Sequence, residues 1–185
     1  MNVAIIGASG YTGLELIKIL INHPRFNIAY IANSSGEMNV QDLHPCLKNV
    51  INMDVSLANA SEVAKVADLA FLALPHKTAM AFAKDLLNLG VKVVDLSADY
   101  RLSLENYEKH YCEHEDKEHI NEAVYGLPEY FKEDIKTANL IANPGCYPTA
   151  SLLALLPFID YIDTDAPIFI DAKSGVSGAG KNPSE

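Results

Sequence analysis

Short apolar runs alternate with helix-length segments along this chain. Val3–Ile6 precedes Thr12–Asn22, and Ile28–Ala32 follows; Leu69–Leu74 precedes Thr78–Leu89, and Val91–Leu96 follows; Leu140–Ala142 precedes Thr149–Phe158, and Ile168–Ile170 closes the series. Strands regularly separated by helices call for crossover connections, so this order predicts an α/β fold in which helices wrap a parallel sheet. The strand runs do not alternate apolar with polar, as expected where both faces of a sheet are covered. In Thr12–Asn22 the residues Leu14, Ile17, Leu20 and Ile21 recur at helical spacing, and the segment stops before Pro24.

Composition fits that picture. The 185 residues are 49% hydrophobic with a mean hydropathy of +0.06, which is far from a disordered chain and enough to bury a core. A formal net charge of -10 without any Lys/Arg cluster gives no electrostatic footprint for nucleic acid or an anionic membrane, and neither partner is expected. Cys46, Cys112 and Cys146 are scattered without paired spacing, which argues against a disulfide framework or a zinc knuckle and for a reducing compartment. The opening Met-Asn-Val-Ala-Ile-Ile-Gly leads straight into a strand with no basic leader, and no apolar segment is long enough to span a bilayer. A cytoplasmic protein is expected. Between Asp99 and Lys136 the chain turns rich in Tyr, Glu and His; a solvated helix or lid is the preferred reading there, and no metal site is expected, because ligands need a convergence that this mixed run does not specify.

Gly7-Ala8-Ser9-Gly10-Tyr11-Thr12-Gly13 follows the first strand directly and opens the first helix. In that context a G-x-x-G-x-x-G turn lets a pyrophosphate approach the backbone, where unpaired N–H groups and the helix dipole favour negative charge. Gly7, Gly10 and Gly13 are therefore candidate cofactor residues together with Ser9, Tyr11 and Thr12, the Ser9 and Thr12 hydroxyls adding donors. Where NAD-binding chains carry an acidic residue after the second strand, this one has Asn33-Ser34-Ser35-Gly36. Neutral donors do not repel a 2′-phosphate, so NADP is the expected cofactor, with Ser34 or Ser35 near that phosphate.

Asn143-Pro144-Gly145-Cys146-Tyr147-Pro148-Thr149 lies between a strand and an apolar helix. Cys146 thus falls near a helix N-terminus, where the dipole favours the thiolate that a nucleophilic cysteine needs. Position alone leaves an ordinary buried cysteine equally open.

With these residues in view, the sequence resembles the N-acetyl-gamma-glutamyl-phosphate reductases of arginine biosynthesis over essentially its whole length. The resemblance rests on the Gly7–Gly13 turn, Leu74-Pro75-His76, Asp95-Leu96-Ser97-Ala98-Asp99-Tyr100-Arg101-Leu102, Tyr125-Gly126-Leu127-Pro128-Glu129, the Asn143–Thr149 motif, and Lys173-Ser174-Gly175-Val176-Ser177-Gly178-Ala179-Gly180. It implies a Rossmann-type doubly wound parallel sheet over residues 1–148 that binds NADP. A linking helix and the incomplete start of an α+β substrate domain would follow over residues 149–185. It implies that Cys146 attacks a small-molecule acyl phosphate and that hydride from NADPH reduces the resulting thioester to a semialdehyde, a scheme suited to a thiolate. The Cys146 N–H is a candidate oxyanion donor. Pro75 and His76 follow the buried run Leu69–Leu74, where ligands gather at strand ends, so His76 either lines the nicotinamide pocket, the preferred reading, or merely ends the strand. Gly178 joins the cofactor residues, and by the same resemblance Ser97, Asp99, Arg101, Asn143 and Ser174 surround the substrate, with Arg101 as an anion clamp. Plainer roles stand beside these: an Asp99–Arg101 pair, Asn143 as a helix cap, and Ser174 and Ser177 as turn residues. The full-length protein is expected to be a homo-oligomer.

The family continues beyond Glu185 through a domain that carries an acid/base histidine. His23, His44, His76, His110, His114 and His119 all precede the cysteine in segments without that motif. These 185 residues are therefore expected to bind cofactor with little turnover. Ile168–Ile170 reads as the first strand of a second sheet with an unpartnered edge, so self-association or disorder is expected over roughly the last 25 residues. Aspartate-semialdehyde dehydrogenase and N-acetylaminoadipyl-phosphate reductase are alternative readings within the same chemistry, since one methylene gives only about 1–3 kcal/mol of selectivity. A non-catalytic NADP-binding module is the alternative of another class.

Overall fold

The computed structural model describes residues 1–181. In chain order the elements are β1 (Asn2–Ile6), α1 (Tyr11–Ile21), β2 (Asn27–Asn33), β3 (Met38–Asn39), α2 (Val40–Leu43), β4 (Asp54–Leu57), α3 (Ala60–Val66), β5 (Leu69–Leu72), α4 (Thr78–Asn88), β6 (Lys92–Asp95), α5 (Leu104–His110), β7 (Val124–Tyr125), α6 (Pro128–Thr137), β8 (Leu140–Ala142) and α7 (Cys146–Leu155). Among the described residues the strands form one sheet of order β3-β4-β2-β1-β5-β6-β8-β7, parallel except where β3 meets β4.

The absence of alternation in β1 has a direct cause. Val3 and Ile5 enter one core with Ile17 and Leu20 of α1 and with Ile31, Val40 and Leu47. Ala4 and Ile6 point the other way, into a core with Met80, Ala83 and Leu86 of α4 and with Val63 of α3. All four β1 residues are fully buried, because successive side chains of a central strand face opposite covered sides.

Register aligns the exits of the strands. Ile6 pairs with Ala32 and Leu72, Leu72 with Asp95, and Asp95 with Ala142. The loops that begin at Gly7, Ser34, Ala73, Leu96 and Asn143 therefore emerge along one edge. The chain winds from β1 to one side and returns to β5 on the other, so the crevice where ligands settle in such sheets opens between these two strands.

Three strands escape the sequence pattern: β3, β4 and β7. They lie at or beside the ends of the sheet, are two to four residues long, and are half-buried or exposed at every position but Val55, so no apolar run marks them. Two expectations need correction. Ile168–Ile170 is not a strand but exposed irregular chain; a strand needs a hydrogen-bonded neighbour, and among the described residues nothing pairs with it. The helix expected at Thr149–Phe158 begins at Cys146 and ends at Leu155, passing into a 3-10 turn over Leu156–Tyr161. Pro148 sits in the first turn, where its missing N–H has no acceptor to satisfy, and Pro157 ends the α geometry. Residues 182–185, the end of the segment assigned to the second domain, lie outside the described residues. No helix among those described is long and apolar enough to cross a membrane.

Candidate active site

Gly7 has φ +92, and a Cβ on it would collide with the Ala73 carbonyl, so only glycine lets the β1 and β5 loops pass. Around Gly10 a Cβ would meet nothing within 4 Å. The turn hangs from β2: the Gly7 and Ala8 N–H groups both donate to the Ala32 carbonyl, at 2.9 and 3.0 Å. The first helical bond of α1 runs from Leu14 N–H to the Gly10 carbonyl at 3.1 Å, which leaves the Tyr11, Thr12 and Gly13 N–H groups without intrahelical acceptors. Gly10, the N-cap, has no side chain to offer them.

Asn33 ends β2 and is buried. Its amide donates to Ser9 Oγ at 3.1 Å, while its carbonyl oxygen accepts from the Ser35 N–H at 2.9 Å and the Gly36 N–H at 2.6 Å. One side chain thus holds the glycine turn and shapes the next loop, with Ser34 and Ser35 exposed on it. On the covered side of the turn, the Ala8 carbonyl accepts from His44 Nε2 at 2.6 Å.

The loop after β6 ties its neighbours together. The Ala98 N–H donates to His76 Nδ1 at 2.9 Å, so the ring proton sits on Nε2 and the exposed imidazole offers a donor at the edge. Arg101 donates from Nε to the Asn143 carbonyl at 2.8 Å and from Nη2 to the Leu96 carbonyl at 2.7 Å, and its Nη1 lies beside Gly145. The suggested Asp99–Arg101 pair does not form. Asp99 is fully buried: one carboxylate oxygen accepts from the Lys77 and Met80 N–H groups, at 2.9 and 3.0 Å, and the other from Tyr107 OH at 2.8 Å. Ser97, also buried, donates to Asp95 at 2.7 Å and accepts from the Asp99 N–H at 3.0 Å. Of the residues expected around the substrate, Ser97 and Asp99 thus lie beneath the loop, their polar atoms holding it.

Asp95 is the ionisable group beneath this edge. Burial pushes its carboxyl up to about 6, against the pull of the two bonds from Ser97 and the nearby Arg101 guanidinium. The Tyr-, Glu- and His-rich segment is mostly exposed and carries the helix α5, as expected, but a few buried groups pin it to the body of the fold. Tyr107, His114 and Asp116 are buried; His114 Nε2 donates to the Asp99 carbonyl at 2.9 Å and its Nδ1 accepts from the Asp116 N–H at 3.0 Å, while Tyr100 OH donates to Asp116 at 2.7 Å. Burial, then the bond to Asp116, raises the Tyr100 hydroxyl well above its ordinary value.

Cys146 is exposed and is the first residue of α7, with Gly145 as a cap that has no side chain. The first bond of this helix runs from the Thr149 N–H to the Gly145 carbonyl at 3.0 Å. The Cys146 and Tyr147 N–H groups thus have no intrahelical acceptor, and Pro148 has no N–H at all. Other helix starts differ: Asn39 caps α2, Asn59 caps α3 and Ser103 caps α5, while α6 opens on Pro128 without a side-chain cap. Asp99, reaching across from another loop, closes α4. Asn143 does not cap α7; its amide turns to the Pro144 carbonyl at 3.0 Å.

The structure thus gathers Gly7, Ser9, Gly10, Tyr11, Thr12, Gly13, Ser34, Ser35, Pro75, His76, Arg101, Asn143 and Cys146 along one edge. Ser174 and Gly178 are not brought there; they adjoin each other in an exposed segment whose described hydrogen bonds run within itself. The pattern of the sequence missed Asn33 and His44 as anchors of the turn, and Asp95 and Tyr107 beneath the loop after β6. Asn33 carried a signal, occupying the place where an acidic residue is usual; the others had none.

The family model described as semialdehyde dehydrogenase, NAD binding domain, matches residues 2–138, and semialdehyde dehydrogenase, dimerisation domain, matches residues 146–185. An N-acetyl-gamma-glutamyl-phosphate reductase from a Sulfurovum species is 60% identical over 185 residues, covering 100% of this chain and 55% of that protein. One from Wolinella succinogenes is 60% identical over 179 residues, covering 97% and 53%. The chain therefore spans about half the length of these relatives. Among solved structures, aspartate semialdehyde dehydrogenase with NADP from Candida albicans superposes with a TM-score of 0.62 at 17% identity, over 86% of this chain and 46% of that one. Aspartate semialdehyde dehydrogenase II complexed with ASA from Vibrio cholerae gives 0.59 at 21%, over 87% and 47%. At such identities the likeness is one of fold.

Proposed function

This chain belongs to the semialdehyde dehydrogenase family, and on that footing we propose that it carries the cofactor-binding half and the reacting thiol of an N-acetyl-gamma-glutamyl-phosphate reductase. Residues 1–148 are the NADP-binding part, and residues 149–185 are the linking helix and the start of the substrate-carrying part, to which Ser174 and Gly178 belong. The observation that carries the reading is that α1 and α7 both open without side-chain caps onto the same edge of the sheet, one at the glycine turn and one at Cys146. The strands that precede them are three steps apart, about 14 Å at the usual spacing, a span for an extended dinucleotide to bridge. The relatives at 60% identity support the substrate.

The cradle suits a dinucleotide, since it presents N–H groups without helical acceptors around a glycine open to approach. The Ser9, Tyr11, Thr12 and Gly13 N–H groups take the pyrophosphate, the Ser34 and Ser35 hydroxyls the 2′-phosphate, and Pro75 and His76 line the nicotinamide side. The chemistry that the reduced cofactor supplies when bound is hydride donation to a thioester. Cys146 Sγ attacks the acyl carbon of the acyl phosphate; the carbonyl becomes a tetrahedral oxyanion facing the Cys146 and Tyr147 N–H groups. The bond from that carbon to the phosphate oxygen then breaks, phosphate leaves, and a thioester remains on Cys146. Arg101, with Nη1 beside Gly145, and Asn143 steady the anionic substrate.

The test is phosphate-dependent oxidation of N-acetylglutamate semialdehyde with NADP by the complete natural polypeptide. Cys146→Ser is expected to bring the rate below detection, and iodoacetamide at neutral pH to label Cys146 ahead of Cys46 and Cys112. Slow labelling spread evenly over the three cysteines, with turnover intact in the variant, would refute the proposal.

A further inference from the structure

Among the described residues, the Ala8 carbonyl is the one peptide oxygen in the front of the glycine turn that a distant side chain holds. His44 Nε2 lies 2.6 Å from it, 36 residues further along the chain. A carbonyl only accepts, so the ring carries its proton on Nε2. The imidazole is buried and its backbone is fastened from both sides: the His44 N–H donates to the Val40 carbonyl at 2.9 Å, and its own carbonyl accepts from the Leu47 N–H at 2.9 Å. Val40 and Leu47 are anchored in the core that α1 covers. Pro45 adds a further constraint, since the residue before a proline is pushed to extended backbone, and His44 has φ -134 and ψ 90.

A trans peptide is planar, with its C=O and N–H pointing in opposite directions. Holding the Ala8 carbonyl toward buried His44 therefore turns the Ser9 N–H outward, while Asn33 fixes the Ser9 side chain through its hydroxyl at 3.1 Å. Released from His44, the same peptide is free to rotate and present its carbonyl oxygen, the negative end of the dipole, to whatever anion the turn receives. We propose that His44 is a positioning residue for the dinucleotide: it sets the Ala8–Ser9 peptide so that an N–H rather than a C=O meets the pyrophosphate before the cofactor arrives. The inference rests on the reading that the glycine turn takes the pyrophosphate of NADP.

Calorimetric titration of the protein with NADP and with 2′-AMP, which has the adenine and the 2′-phosphate but no pyrophosphate, separates the possibilities. His44→Ala is expected to weaken NADP about 10-fold or more while leaving 2′-AMP within about 2-fold, as loss of one donor to a charged ligand requires. His44→Gln, whose amide nitrogen reaches to the place of Nε2, is expected to restore most of the NADP affinity. Unchanged NADP binding in His44→Ala, or equal losses for both ligands, overturns the role of His44. Failure of the unaltered protein to take up NADP overturns the underlying reading of the turn instead. Should His44→Ala not fold, His44→Gln is compared with His44→Asn, whose amide falls short of the carbonyl: tighter NADP binding by the Gln variant upholds the proposal, and equal binding sinks it.

Discussion

Two buried side chains, at the ends of β2 and β6, do opposite electrostatic work. Asn33 stands where a carboxylate would hold ribose hydroxyls, and because its amide and its carbonyl oxygen are both engaged, it shapes the loop without adding charge. Asn33→Asp places a negative charge against the expected 2′-phosphate and removes the donor to Ser9. The ratio of NADP to NAD affinity is expected to fall by about 10-fold or more, and an unchanged ratio in competition titrations would count against NADP preference. Asp95 is charged or neutral according to pH. In the fold burial lifts its carboxyl to about 6 from an ordinary value of 3.8. The folded state therefore holds the proton to higher pH than the unfolded chain, so the contribution of Asp95 to stability is full below 3.8 and is lost as pH rises through about 6. The change is on the order of 3 kcal/mol at most. Urea unfolding of wild type and Asp95→Asn across pH 4 to 7 is expected to show wild type losing ground to the variant in that window; parallel profiles would contradict it.

At the level of elements, the helix starts divide by what closes them. Three are capped by the polar residue directly ahead of them, α2 by Asn39, α3 by Asn59 and α5 by Ser103. The start of α4 is closed from the β6 loop by Asp99, which also binds Tyr107 and so links α4 to α5. Asp99→Ala is expected to cost about 2–4 kcal/mol in denaturant unfolding, combining a lost cap with an unsatisfied buried hydroxyl. A loss below about 0.5 kcal/mol would show that the loop holds without it. The starts of α1, α6 and α7 have no side-chain cap; α6 opens on Pro128, and the glycine turn and the thiol stand at the other two.

For the whole molecule, the sheet buries both faces of its central strands, while the last part of the chain covers little of itself. Leu153, Phe158, Ile159, Phe169 and Ile170 are exposed in the segment that matches a dimerisation domain. Apolar side chains in such number need a partner surface, from the same polypeptide or from another copy. We expect the complete protein to sediment as a dimer or larger, and Phe158→Asp combined with Ile159→Asp to weaken that assembly. A species that sediments as a monomer at every concentration tested would argue against a homo-oligomer.

The central strands, the glycine turn and the place of Cys146 at a helix start were legible in the sequence, because each is a local matter: covered strands read as apolar runs, a tight turn demands glycine, and Cys146 lies within a few residues of its strand and its helix. Even there Pro148 concealed three residues of α7, since a proline is tolerated in a first turn but reads as a boundary. The sheet-edge strands, the anchoring roles of Asn33 and His44, and the inward turn of Ser97 and Asp99 were decided only in three dimensions. The bonds from Asn33 to Ser9, His44 to Ala8 and Lys77 to Asp99 join residues 24, 36 and 22 positions apart. Strand register brings such residues together, and no local pattern of residue types encodes which of two polar side chains the register will turn inward.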